Sequence, residues 1–229
     1  MTGTAPPPGA APPAPGLAIL AEAGGTAVLL AIVVGSGVMG DRLAEGNAAV
    51  ALLANSLATG AGLTVLIWAL APLSGAHFNP VVTLLGWALG ELPGRRALAF
   101  VLAQAGGAVA GVVLAHAMFA LPLIEASTTV RGGGGQWLAE LVATAGLLAT
   151  IRLVGGRDAA LVPPAIGLYI LAAYWFTAST SFANPAVTLA RALTDTFAGI
   201  APASVPAFWS AQLAALALVL GVARLLRRG

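Results

Sequence analysis

The sequence predicts an all-α membrane protein, with six transmembrane helices plus two re-entrant half-helices in an inverted repeat. Three observations predict it. Residues of the AVILMFWYC set make up 59% of the 229 and charged residues 8%, against about 25% charge in an ordinary soluble domain. Six apolar segments approach the length of about 20 helical residues that a hydrocarbon core requires. The dipeptide Asn-Pro also occurs twice in similar surroundings, as His77-Phe78-Asn79-Pro80-Val81-Val82-Thr83-Leu84 and Phe182-Ala183-Asn184-Pro185-Ala186-Val187-Thr188-Leu189.

The chain opens with residues 1–16, which hold six of the fifteen prolines and no charge. They read as a disordered leader, and without a basic start they do not resemble a signal peptide. Residues 17–229 follow as one domain. The first two spans are expected at 17–39 and 48–71, and the third at 96–119. The second half supplies 136–154, 160–178 and 205–226. Between these, 80–91 and 185–196 each begin with Asn-Pro. Asparagine is a favoured helix N-cap and proline is tolerated in the first turn, so both segments should start as helices. At about 11 residues, or about 17 Å, each is too short to cross a core of about 30 Å alone.

All ten basic residues are arginine and the formal charge is +2. They are scattered at span ends rather than clustered with aromatics, which speaks against nucleic acid as a partner. With the amino terminus in the cytoplasm, Arg95, Arg96, Arg152, Arg157, Arg224, Arg227 and Arg228 fall inside, and Arg42, Arg131 and Arg191 outside. That asymmetry matches an even number of spans with both termini cytoplasmic. There is no cysteine and only His77 and His116, so no metal or cofactor is expected.

A weak internal repeat connects the two Asn-Pro sites. Ala21-Glu22-Ala23-Gly24-Gly25-Thr26 echoes Ala139-Glu140-Leu141-Val142-Ala143-Thr144, and Phe100-Val101-Leu102-Ala103-Gln104 echoes Phe208-Trp209-Ser210-Ala211-Gln212. The repeats cover about 17–119 and 136–226. Three spans per half is odd, so the second half inserts upside down. The half-helices then enter from opposite faces and bring their amino termini together near the midplane. Each start carries roughly half a positive charge, and the two together oppose cations. Asn79 and Asn184 can offer amide donors to a passing neutral oxygen. These features imply a pore for small uncharged polar solutes.

On these residues the chain resembles the major intrinsic proteins, the aquaporins and aquaglyceroporins. Ser74-Gly75-Ala76-His77-Phe78-Asn79-Pro80 is close to the first family signature, with Val81 in place of its alanine, and Asn184-Pro185-Ala186 matches the second. The resemblance extends over 17–226 and implies a passive channel for water and small neutral solutes, a lipid bilayer setting and a homotetramer. It further implies that Glu22 and Glu140 brace the two re-entrant loops, that Gln104 and Gln212 hydrogen-bond between helices, and that His77 abuts the cytoplasmic half of the pore.

The filter positions depart from the family pattern. An arginine usually follows the second NPA directly; here that residue is Val187. The second-span position is Thr59, where water-selective members have phenylalanine. The fifth-span position is Ala172 by counting back from Asn184, or Tyr174 by matching Ile166-Gly167-Leu168 to the family helix. Ser181 and Phe182 supply the fourth wall. Losing a guanidinium removes five donors and a charge, so the throat should be wider or more apolar and favour glycerol-like polyols or metalloid hydroxides such as arsenous acid. Arg191, one turn further on, has three readings: a residue of the outer rim, a partner of Asp195 at i,i+4, or a solvated helix face.

Other residues carry quieter expectations. Gly107 and Gly111 permit close helix packing. His116 reads as a span-end residue, and Gly132 to Gly135 as an external loop with no phosphate-binding context. A secondary transporter would share the inverted repeat but needs midplane ion ligands. No nucleophile–base pairing suggests an enzyme. The expected location is a bacterial inner membrane.

Overall fold

The computed structural model describes residues 14–226. Eight α-helices are present among them: α1 Pro15–Leu43, α2 Ala48–Ser74, α3 Pro80–Ala88, α4 Gly94–Met118, α5 Gly134–Gly155, α6 Val162–Phe176, α7 Pro185–Arg191 and α8 Val205–Leu226. Six of these segments are long and apolar enough to span a membrane, α6 together with the 3₁₀ turn Ala159–Leu161 before it and α8 with the turn Pro202–Ser204. Leu20, Val65, Leu98 and Leu102 are among the large apolar residues left exposed on the outside, where lipid is the matching solvent. The expected leader lies largely outside the described residues. Its last members, Pro15 and Gly16, belong to α1, with Pro15 in the first helical turn.

The packing repeats itself between the halves. α1 packs on α2 and α4 as α5 packs on α6 and α8; α3 lies on α4 and α8 as α7 lies on α8 and α4; α2 meets α6 and α3 meets α7. This is the inverted repeat expressed as contacts.

Close backbone approach sets two of these crossings. A Cβ on Gly107 would stand 2.2 Å from the Ala23 carbonyl oxygen, and one on Gly111 would stand 2.2 Å from that of Ala27. Only glycine lets α4 lie this near α1. At the α2–α6 crossing a Cβ on Gly60 would meet the Gly167 carbonyl at 2.8 Å.

The half-helices are shorter than expected, nine residues for α3 and seven for α7. α3 ends where Gly90 turns to φ +81°. After α7 the carbonyls of Ala192 and Leu193 accept from Ser127 and Glu125 N–H groups of the loop between α4 and α5, and Arg191 O accepts from Ile200 N. Acceptors that would continue the helix are thus diverted to other segments, and the chain turns back at Arg191.

Candidate pore and selectivity site

Each half-helix starts as the Asn-Pro dipeptide requires. Asn79 Oδ1 accepts from Val81 N at 3.0 Å, and Asn184 Oδ1 from Ala186 N and Val187 N. Pro80 and Pro185 open their helices and Val81 and Ala186 follow, both buried. The asparagine amides also lock the two loops together. Asn79 Nδ2 donates to Ala183 O at 2.8 Å, and Asn184 Nδ2 donates to Phe78 O at 2.8 Å. One amide hydrogen of each is thereby occupied and one remains for a solute. The reciprocity was not anticipated from sequence, because each acceptor lies in the other half of the chain.

The loops leading to these caps hold backbone that L-residues rarely adopt. Ala76 and Phe78 have φ of 50° and 47°; Ser181 and Ala183, at the same registers of the second loop, have 51° and 47°. Two buried carboxylates hold this geometry. Glu22 accepts from Ser74 Oγ, His77 N, Phe78 N and Gln104 Nε2 at 2.6–2.9 Å. Glu140 accepts from Phe182 N, Ala183 N and Gln212 Nε2 at 2.7–2.9 Å. Each glutamine passes its second donor to a threonine of the half-helix, Gln104 to Thr83 and Gln212 to Thr188. Thr83 and Thr188 carry this link and had been assigned no role; their matching places after the two Asn-Pro sites were the available signal. His77 Nδ1 lies 3.0 Å from Thr83 Oγ1 and its ring meets Phe100 edge-on.

A cavity of about 190 Å³ runs past this junction. Glu91 and Arg152, which form an ion pair, stand at one end, and Arg191 lines the cavity toward the other. Asn79, Asn184 and His77 are among its lining residues. Thr59, Tyr174, Ser181, Phe182 and Val187 line it as well. Tyr174 donates to Thr59 Oγ1 at 3.3 Å, which joins α6 to α2 beside the lumen. Ala172 is corrected: it is exposed on the outer surface of α6, because two residues turn a helix by about 200° and carry it away from Tyr174.

Two readings of Arg191 are corrected, the solvated face and the pair with Asp195. Arg191 is 2% exposed, its Nε donates to Ala198 O, and its guanidinium carbon lies 3.5 Å from the centre of the Phe182 ring. It forms no pair with Asp195, whose oxygens accept from Thr128 N, Thr128 Oγ1 and Ser127 Oγ. Arg131 reaches the same ring at 5.2 Å and donates through Nε to Gly199 O at 2.8 Å. Burial pulls the Arg131 guanidinium below the usual arginine range, with Glu140 and Tyr174 opposing, and it remains a cation at neutral pH. His116, expected at a span end, is fully buried and bonds Pro122 O and Thr194 Oγ1, tying the chain beyond α7 to α4.

Residues 16–170 match the profile of the major intrinsic proteins. A curated relative, aquaglyceroporin AqpS of Rhizobium meliloti (strain 1021), is 54% identical over 90% of this chain and 88% of its own length. The chain belongs to the major intrinsic protein family. It is a membrane channel rather than an enzyme. The glycerol uptake facilitator protein of Pseudomonas aeruginosa is 31% identical over 66% of this chain and 63% of its own length. The solved aquaglyceroporin from Plasmodium falciparum has the same fold, with a TM-score of 0.65 over 77% of this chain and 79% of that one at 21% identity.

Proposed function

We propose that the channel passes small uncharged solutes larger than water, glycerol-like polyols or metalloid hydroxides such as arsenous acid. The observation that carries this reading is Val187. It lines the cavity beside Thr59 and Tyr174, at the position from which the family's usual arginine would project. A guanidinium there would fill the throat and add five donors; valine leaves an apolar wall. The named relatives, an aquaglyceroporin and a glycerol uptake facilitator, support the same solute class.

Passage follows from the parts. Half-helix starts oppose cations at the junction, and the free amide hydrogens of Asn79 and Asn184 hold the oxygen of a neutral solute in transit. Glu22, Glu140 and Gln104 keep the loops in shape, with Gln212 serving the second loop as Gln104 serves the first. The arginine asymmetry supports a bacterial inner membrane with both termini cytoplasmic, and the family resemblance supports a homotetramer.

Stopped-flow measurements on proteoliposomes test the reading. Glycerol and arsenous acid should enter rapidly, and Val187→Arg should cut that uptake by about tenfold or more while water still flows, a loss equal to about 1.4 kcal/mol or more of barrier. The Tyr174–Thr59 hydrogen bond, which closes part of the throat, favours a second reading, a strict water channel. Fast water flow with no solute uptake would establish it and defeat the first.

A further inference from the structure

We propose that Arg191, standing one helical turn outward of Val187, is the charge in the outer pore that excludes cations, with Arg131 reinforcing it. The proposal rests on the channel reading above but concerns a residue that reading does not use.

Arg191 is four positions after Val187, so both project from nearly one face of α7. Both line the cavity. The valine at 187 therefore displaces the cation of the throat outward by one turn. Arg191 is held rather than free: its Nε is fixed on Ala198 O and its plane is anchored by Phe182. Among the described residues its terminal nitrogens have no protein acceptor, so their four N–H donors remain available on the lumen side.

The charge is also left uncancelled. Among the described residues the one ion pair is Glu91–Arg152, at the other end of the cavity. Asp195 is engaged by Ser127 and Thr128. Glu140 acts electrostatically on both arginines and keeps its charge, but its oxygens accept from Phe182 N, Ala183 N and Gln212 Nε2 and form an ion pair with neither. Two guanidiniums against the one carboxylate that acts on both leave the mouth positive. In a narrow, partly desolvated passage such a charge acts on an ion with little screening.

The test uses the full chain in liposomes, reading proton and potassium leak beside glycerol uptake for Arg191→Gln, Arg191→Lys and Arg191→His. Arg191→Gln should leak potassium and protons about ten- to a hundredfold faster than wild type. Arg191→Lys should stay tight. Arg191→His should hold potassium back at about pH 5.5, where the imidazole is charged, and leak at about pH 8. Arg191→Gln as tight as wild type while glycerol still enters would overturn the proposal. So would an Arg191→His variant whose leak is the same at both pH values, which decides the matter even if Arg191→Gln fails to fold. Glycerol and arsenous acid uptake by the wild type test the solute reading separately: the absence of both would sink that reading and leave the leak comparison standing.

Discussion

Replacing Glu22 by glutamine probes the support of the first re-entrant loop. The carboxylate accepts four hydrogen bonds, two of them from backbone N–H groups of His77 and Phe78. An amide keeps one acceptor oxygen and presents a donor in place of the other. Turned toward the Oε1 side it faces His77 N and Ser74 Oγ; turned toward the Oε2 side it faces Phe78 N and Gln104 Nε2. The serine hydroxyl can rotate and the glutamine can flip, but one backbone N–H is orphaned in either case. An orphaned buried donor costs about 1–3 kcal/mol, and each remaining bond loses about 1 kcal/mol when its acceptor is no longer charged. A neutral side chain avoids part of the desolvation cost of a buried ion, which leaves a net loss of about 2–4 kcal/mol. The left-handed conformations of Ala76 and Phe78 carry a strain of about 1–2 kcal/mol each, of similar size. With the clamp weakened, the loop should relax away from that geometry. Glycerol uptake by Glu22→Gln in proteoliposomes should fall by about tenfold or more, and the melting temperature in detergent should drop by about 4–16 °C. Uptake equal to wild type with a melting temperature unchanged within about 2 °C would refute the reasoning.

Two further outcomes follow from the packing and the throat. Gly107→Val should prevent recovery of monodisperse protein, since its Cβ would meet the Ala23 carbonyl at 2.2 Å and push away the stretch of α1 that carries Glu22; Gly106→Ala, with open space around it, should behave as wild type in the same size-exclusion assay. Tyr174→Phe deletes the 3.3 Å bond to Thr59. Glycerol uptake should rise by about two- to threefold as that side of the throat is freed, a small effect because a net hydrogen bond is worth about 1 kcal/mol; a fall would mean that the phenol hydroxyl serves the solute instead.

Much of the architecture was legible because it depends on local rules. Hydrocarbon cannot solvate a bare backbone, so apolar runs of span length declare helices, and an odd number of spans per repeat forces inversion. Asn79-Pro80 and Asn184-Pro185 declare helix starts for the same local reason, and the caps form as that chemistry requires. The Gly107/Gly111 spacing pointed to a close crossing, which α1 and α4 make.

What remained hidden depended on partners distant in sequence. The length of α7 could not be read from residues 185–196, since its end is set by acceptors taken up by the loop that carries Ser127. Counting could not separate Ala172 from Tyr174, because the rotation of α6 is set by its packing on α2 and α5. The burial of His116 and the reciprocal asparagine bonds likewise require both halves to be assembled. Arg191 shows the difference most plainly. Sequence periodicity places it one turn beyond Val187, and that much is determined by the 3.6-residue repeat alone. Whether it meets water, Asp195 or the lumen was decided by tertiary structure, where Thr128 takes the aspartate and Phe182 and Ala198 take the guanidinium. A helix fixes the direction of a side chain, whereas the groups competing for it come from the rest of the fold.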